Sequence, residues 1–244
     1  MTETAGDLGW IERLPTPQAS QMIVIRHGES RYHEEGLDLT DSGVAQVKAS
    51  ARELGPYLKN FDNTLVITSP APRAISTADI FLEEVGLQLP KKLAIAVRPL
   101  GIKDLKGFLE YDRLHSTSIY GQMYLTDPFL ADNNPLIEAR KNVDYRSQRF
   151  LYHYGKQIDR ISKATDRKIA VLVFTHNEVG TNFLQGIYPD SDNFPIEQEK
   201  VLQNAEPVII QLDNPTVDEY TIMARDRIVK VKYDKEKQGF IPAK

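Results

Sequence analysis

The sequence predicts an α/β fold: three α/β/α layers, with a mostly parallel sheet between two helical faces. Three observations carry that expectation. Short β-branched apolar runs recur along the chain, amphipathic stretches of helical period alternate with them, and each run ends in polar, glycine or proline residues. With 244 residues, 41% of them hydrophobic, the chain can bury a sizeable core. No internal repeat or low-complexity linker interrupts it. The expected organisation is a polar N-terminal leader over 1–20 and one domain over 21–244, with an insertion at about 98–142.

The elements follow in order. The leader is polar except for Trp10 and Ile11, which are expected to dock it. Met22 to Ile25 reads as a buried strand. Leu39-Thr40-Asp41-Ser42 starts a helix with Thr40 or Asp41 as cap, and Val44, Val47, Ala51, Leu54 and Leu58 recur at helical spacing. Gly55-Pro56 is expected to disturb its last turn. Thr64 to Thr68 is a second strand. Pro70 and Pro72 suit the first turn of the next helix, which Ala74, Ala78, Phe81 and Val85 continue to Gly86. Leu93 to Val97 is read as a third strand. The irregular stretch 98–142 is too long for a simple connection and is read as a lid or binding loop. Asp144 to Ser162 is a helix, Ile169 to Phe174 the most apolar strand, and Val179 to Ile187 a helical continuation. Val208 to Leu212 and Tyr220 to Ala224 are late strands over an Asn214-Pro215 turn, and Asp226 to Tyr233 an edge strand or tail.

Composition excludes several classes of function. Net charge is −4 and no Lys/Arg-rich block exists, so nucleic acid is not an expected partner. There are no cysteines, hence no disulfide, thiolate nucleophile or Cys-based zinc site. No apolar run approaches the ~18 residues that span a bilayer, so no membrane partner is expected and the location is read as cytoplasmic. Nothing in the sequence specifies an oligomeric state.

The chemistry lies at strand ends. Ile23-Val24-Ile25 delivers Arg26-His27-Gly28-Glu29-Ser30 into a turn. Arg73 follows the second strand, and Thr175-His176-Asn177-Glu178 follows the most apolar one. In an open α/β sheet the C-terminal strand edge is where ligands bind. Guanidinium suits a phosphate dianion, and imidazole is a nucleophile or acid/base near neutral pH. Two of the five histidines follow the two most apolar strands, so His27 and His176 are expected to share a pocket. His33, His115 and His153 are read as surface or packing residues. No pair of histidines has metal-ligand spacing.

Arg26-His27-Gly28-Glu29-Ser30, Leu39-Thr40-Asp41-Ser42-Gly43-Val44-Ala45-Gln46, Thr68-Ser69-Pro70-Ala71-Pro72-Arg73-Ala74 and Phe174-Thr175-His176 together resemble the histidine phosphatase superfamily. The likeness is to the branch that includes cofactor-dependent phosphoglycerate mutases, over residues 21 to 190. The resemblance implies a phosphoglycerate mutase-like fold and a phosphorylated small-molecule substrate. His27 would attack the phosphoryl group and become phosphohistidine. Arg26, Arg73 and His176 would hold its oxygens, a carboxylic acid would protonate the leaving oxygen, and water would release phosphate. Two guanidiniums bracket a dianion by charge-assisted bonds and keep His27 neutral, so neither a metal nor a cofactor is required.

The acid follows the third strand in that family, before a glycine. Here Asp104 stands nearest that position, with Glu110 second and Glu178 as an alternative. Gly28, Glu29, Ser30, Asn177 and Glu110 are expected to bind substrate; Glu29 and Ser30 are equally suited to cap the turn. Arg113, His115, Arg140, Lys141, Arg146 and Arg149 are candidates for a second anionic group. The stretch 31–38 is shorter than the matching mutase segment, and the mutase Arg-Arg lid is absent. Hydrolysis is therefore expected over phosphoglycerate-mutase-type transfer. A phosphate-binding scaffold with weak turnover is the reading from a different class.

Overall fold

A computed structural model describes residues 8–30, 38–99, 101–104, 106–107, 110, 135–187, 201–214, 218–236 and 239–243. The strands are β1 (Gln21–Arg26), β2 (Asn63–Thr68), β3 (Lys91–Leu93), β4 (Ile169–Thr175), β5 (Pro207–Asn214), β6 (Glu219–Ala224), β7 (Arg227–Asp234) and β8 (Gly239–Pro242). Among the described residues the α-helices are α1 (Asp41–Leu58), α2 (Pro72–Glu84), α3 (Arg140–Thr165) and α4 (Asn177–Ile187). All strands join one sheet in the order β3-β2-β4-β1-β5-β6-β7-β8.

The half of the sheet from β3 to β1 is parallel. Its strands are separated in sequence by α1, α2 or α3, as parallel pairing requires. β5 pairs antiparallel with β1, and the pairs β5–β6, β6–β7 and β7–β8 that follow are antiparallel as well. The β6–β7 turn places Arg225 and Asp226 at φ 49° and 62°, a left-handed two-residue connection suited to a twisted hairpin.

Strand periodicity divides the core in two. Ile23, Ile25, Ala170, Leu172 and Phe174 face α1 and α2, meeting Val47, Leu54, Ala78 and Phe81. Met22, Val24, Val171 and Val173 face the other way, toward Leu151 and Ile158 of α3 and Val179 and Phe183 of α4. Residues one apart thus feed opposite layers, which is the three-layer α/β/α arrangement. Each buried aliphatic side chain stabilises by roughly 1.5–3 kcal/mol relative to exposure. β4 lies between β1 and β2 and is buried along its whole length.

Three expectations need correction. The run 93–97 is not a strand. Pairing of β3 with β2 ends at Leu93 opposite Thr68, and the Ala94 amide makes the last bond, to the Thr68 carbonyl (2.9 Å). β2 then turns into α2, so Ile95–Val97 has no strand to pair with and coils into a 3-10 turn. Second, β7 is not an edge, because β8 pairs outside it; Gly239–Pro242 is too short to announce itself as a strand. Third, Pro56 is accommodated inside α1, which runs on to Leu58.

The expected docking of the leader takes a definite form at 8–20: Leu8, Trp10 and Ile11 are buried against the α1 side of the core. Most of the expected insertion, with Arg113 and His115, lies outside the described residues, as does His33. Among the described residues no helix is long and apolar enough to cross a membrane.

Candidate active site

The β1–β4–β2 order puts three strand ends side by side. Arg26 is in register with Thr175, and Thr68 with Phe174. The chain then leaves each strand under backbone control: the His27 amide donates to the Thr175 carbonyl and the Ser69 amide to the Phe174 carbonyl, both at 2.9 Å. His27 and His176 therefore meet edge to face, ring centroids 5.1 Å apart, each 1% exposed.

His27 is held in one tautomer. Its Nδ1 lies 2.6 Å from the Gly28 carbonyl oxygen. A carbonyl only accepts, so Nδ1 carries the proton and Nε2 the lone pair. The Nε–H of Arg73 donates to that Nε2 (3.1 Å). Burial, then the charges of Arg73 and Arg26, push His27 well below its ordinary value, opposed only by the Gly28 bond. The ring is a neutral base at physiological pH.

Arg73 comes from the first turn of α2, with Pro72 opening the helix. One turn later the Thr77 hydroxyl donates to the Arg73 carbonyl (2.7 Å) and accepts the Gly28 amide (3.2 Å). A single threonine thus ties the His27 loop to α2.

A close approach fixes the other side of that loop. A Cβ on Gly28 would stand 2.5 Å from the Gly43 carbonyl oxygen and 2.9 Å from Val47 Cγ2. One on Gly43 would collide with the Glu29 backbone. These two glycines let the loop lie directly on the start of α1. There Thr40 caps the helix: its Oγ1 accepts the Gly43 amide (3.0 Å) and donates to Glu29 Oε1 (3.0 Å). The Gln46 side chain accepts the Glu29 amide (2.9 Å).

His176 ends β4 and precedes α4. Ser69 Oγ lies 2.8 Å from its Nε2 and accepts the Ala71 amide (3.2 Å). His176 Nδ1 is buried with no hydrogen-bond partner among the described residues. Burial, then His27, Arg73, Arg146 and Arg26, hold His176 well below its ordinary value. Arg26 sends Nη1 to the Leu202 carbonyl (2.6 Å), while its buried Nε has no such partner.

The expected residues are not all gathered here. Arg26, His27, Gly28, Arg73 and His176 converge. Glu29 is engaged by the α1 cap, and Ser30 pairs with Leu39 in an isolated bridge. Asn177 is buried at the start of α4, its Oδ1 accepting the Thr181 hydroxyl (2.6 Å), and Glu178 is buried beside it. Asp104 is exposed and its carboxylate accepts the Gly107 amide (3.1 Å); Glu110 is exposed as well. Neither hydrogen bonds to His27, Arg73 or His176 among the described residues. Arg146 is committed to the Ala96 and Pro99 carbonyls and to Glu138, tying the start of α3 to residues 96–99.

Thr77 and Leu202 were not singled out by sequence reasoning, and Ser69 and Gln46 stood in the motifs with no role of their own. A serine before Pro70 at a strand-to-helix turn is a signal that could have found Ser69. Leu202 acts through its carbonyl, for which no residue-type signal exists. Among the described residues no three His, Cys, Asp or Glu side chains cluster to hold a metal ion.

Residues 22–214 match the sequence pattern of the histidine phosphatase superfamily (branch 1). A curated relative, the 2,3-bisphosphoglycerate-dependent phosphoglycerate mutase 2 of Bacteroides thetaiotaomicron, is 27% identical over 150 residues, 57% of each chain. The chain spans little more than half the length of that relative. In three dimensions it is similar to a phosphoglycerate mutase from Bacillus anthracis, with TM-score 0.54 and 19% identity over 86% of this chain and 94% of that one. It is also similar to a mycobacterial glucosyl-3-phosphoglycerate phosphatase, with TM-score 0.53 and 18% identity over 79% and 90%.

Proposed function

Because the chain belongs to the histidine phosphatase superfamily, we propose that it is a phosphomonoester hydrolase acting through a phosphohistidine on His27, without a metal or cofactor. The observation that carries this reading is the His27 ring itself. Its Nδ1 proton is fixed by the Gly28 carbonyl, and burial, together with the guanidinium that its lone-pair nitrogen faces, keeps that nitrogen unprotonated. A neutral imidazole in a fixed orientation is a competent nucleophile toward phosphorus.

In this reading Arg73 transfers its donors from Nε2 to the phosphate oxygens when substrate enters. Arg26 and His176 take the remaining oxygens, and Asn177 borders them at the start of α4. Phosphoryl transfer depends mainly on such positioning and charge stabilisation. His27 Nε2 displaces the leaving alcohol from phosphorus, and the alcohol oxygen takes a proton from a carboxylic acid. Water then gives a proton back to that carboxylate as its oxygen attacks phosphorus, which breaks the P–N bond, releases inorganic phosphate and restores both His27 and the acid. Gly28, Glu29, Ser30 and Glu110 belong to the substrate side of the proposal, with a phosphorylated small molecule in a cytoplasmic setting.

The sequence assigns the acid to Asp104. Glu178 competes for that role, because it is buried two residues after His176 whereas Asp104 is exposed and engaged with Gly107. Loss of a general acid costs typically 10²–10⁴-fold. Asp104→Asn and Glu178→Gln, compared on an ester with a poor leaving group, identify the residue by which one loses that factor.

Phosphate release from para-nitrophenyl phosphate in EDTA tests the reading. Turnover by the wild type and none by His27→Ala is expected; equal rates for both overturn it. The relationship to a phosphoglycerate mutase favours a second reading, phosphoryl transfer between 2- and 3-phosphoglycerate. That interconversion, faster than hydrolysis of either ester, would replace the first.

A further inference from the structure

We propose that the ion pair between the buried Glu206 and the partly buried Arg225 is a positioning device for Arg26, and that it sets the affinity of the site for a phosphate dianion. The inference rests on the proposed role of Arg26 in holding phosphate.

Residues 201–206 form a loop wedged between the end of β1 and the start of α4. It touches the candidate site at four points. The Leu202 carbonyl accepts Arg26 Nη1 (2.6 Å) and the Glu206 carbonyl accepts the Arg26 amide (3.2 Å). The Ala205 amide donates to the His27 carbonyl (3.3 Å). The Leu202 amide donates to Thr181 Oγ1 (3.2 Å), the hydroxyl that in turn holds Asn177. The Leu202 side chain is fully buried against Gly180, where any Cβ would collide with it.

This loop does not have its preferred local conformation. Ala205 has φ 57°, a left-handed backbone that costs a residue with a Cβ free energy and persists only when its surroundings enforce it. The Glu206 carboxylate is the enforcing group. It is 2% exposed, accepts the Gln203 amide (2.6 Å) within the loop, and takes Arg225 Nε (2.5 Å) and Nη2 (2.6 Å) from the β6–β7 turn. Arg225 Nη2 also donates to the Val201 carbonyl (2.8 Å). Both ends of the loop are therefore pinned to one fork of charge-assisted bonds.

The consequence for Arg26 is geometric. A guanidinium presents its Nε–H and one Nη along a single edge, the edge that binds a phosphate by two parallel hydrogen bonds. Nη1 lies on the opposite side, and that is the atom the Leu202 carbonyl holds. Anchoring Nη1 leaves the Nε/Nη2 edge presented, and Arg26 Nε is buried without a hydrogen-bond partner among the described residues. Glu206 and Arg225 touch no phosphate in this account; they act through Leu202.

A double-mutant cycle on inorganic phosphate affinity, measured by calorimetry on the full chain, tests this. Glu206→Gln is expected to weaken phosphate binding about tenfold, about 1.4 kcal/mol. It is also expected to raise KM more than it lowers kcat. In an Arg26→Ala background the same substitution is expected to change phosphate affinity less than about twofold, because the group it positions is gone. Arg225→Lys, which keeps the charge but not the fork, gives an intermediate loss and serves if Glu206→Gln does not fold. Equal losses with and without Arg26, or unchanged affinity in either single variant, overturn the inference. A wild type that binds no phosphate overturns the phosphatase reading itself and this inference with it. Phosphate binding that depends on Arg26 but not on Glu206 or Arg225 overturns the inference alone.

Discussion

Gly28→Ala is a one-carbon change at the point where the His27 loop rests on α1. The added Cβ would stand 2.5 Å from the Gly43 carbonyl oxygen and 2.9 Å from Val47 Cγ2. Val47 is fully buried, and the nearest obstacle is backbone at a capped helix start, so neither neighbour can rotate away. The loop must move by several tenths of an ångström. Overpacking of this kind costs typically 1–3 kcal/mol. The moved peptide is also the one whose carbonyl fixes His27 Nδ1 and whose amide meets Thr77. Losing the net worth of one such bond, about 0.5–1.5 kcal/mol, at the reacting ring adds up to about a tenfold loss of rate. Urea denaturation at neutral pH measures the first effect, as a lower midpoint with unchanged slope. Turnover at saturating substrate measures the second. A variant within about 0.5 kcal/mol of the wild type and with unchanged turnover would refute the close-approach argument.

Two further outcomes are expected. Both buried histidines are held well below the ordinary value of about 6.5 that applies in the unfolded chain. The unfolded chain therefore binds more protons as pH falls through about 6.5, so stability is fully present above that pH and is lost below it, by up to about 1.4 kcal/mol per unit for each ring. Denaturation midpoints from about pH 7.5 down to 5 should fall, more shallowly in His27→Gln; a flat profile would contradict the buried neutral pair. Ser69→Ala removes the hydroxyl beside His176 Nε2 and should weaken inorganic phosphate binding by about tenfold with little change in the pH profile; unchanged affinity would show that Ser69 does not orient the ring.

The sequence made the site's core legible because it is built from residue types with few other uses at strand ends. Arg26, His27, Arg73 and His176 were each placed by a strand, a turn and a helix start, and β4 lying between β1 and β2 turns that into proximity. The two-layer core was legible for the same reason, since residues of alternating facing along β1 and β4 must pack on opposite sides. What stayed hidden is chemistry that does not depend on residue type. The tautomer of His27 is set by the carbonyl of Gly28, and Arg26 is aimed by the carbonyl of Leu202. Any residue supplies a carbonyl, so only the fold reveals which one points at the ring. The 93–97 run misled because β propensity there is genuine, but the partner strand ends opposite its first residue, Leu93. Glu206 and Arg225 lie 19 residues apart and carry no local pattern; their pairing follows from the β5–β6 hairpin.

The most direct measurement is the location of the phosphoryl group during turnover. The protein is mixed with a phosphate ester, quenched in alkali to preserve phosphohistidine, digested and analysed by mass spectrometry. The account predicts a phosphoryl mass increment on the peptide carrying His27, assigned to that ring, and absent from His27→Ala. An increment on another residue, or hydrolysis that proceeds in His27→Ala at the wild-type rate, would contradict it.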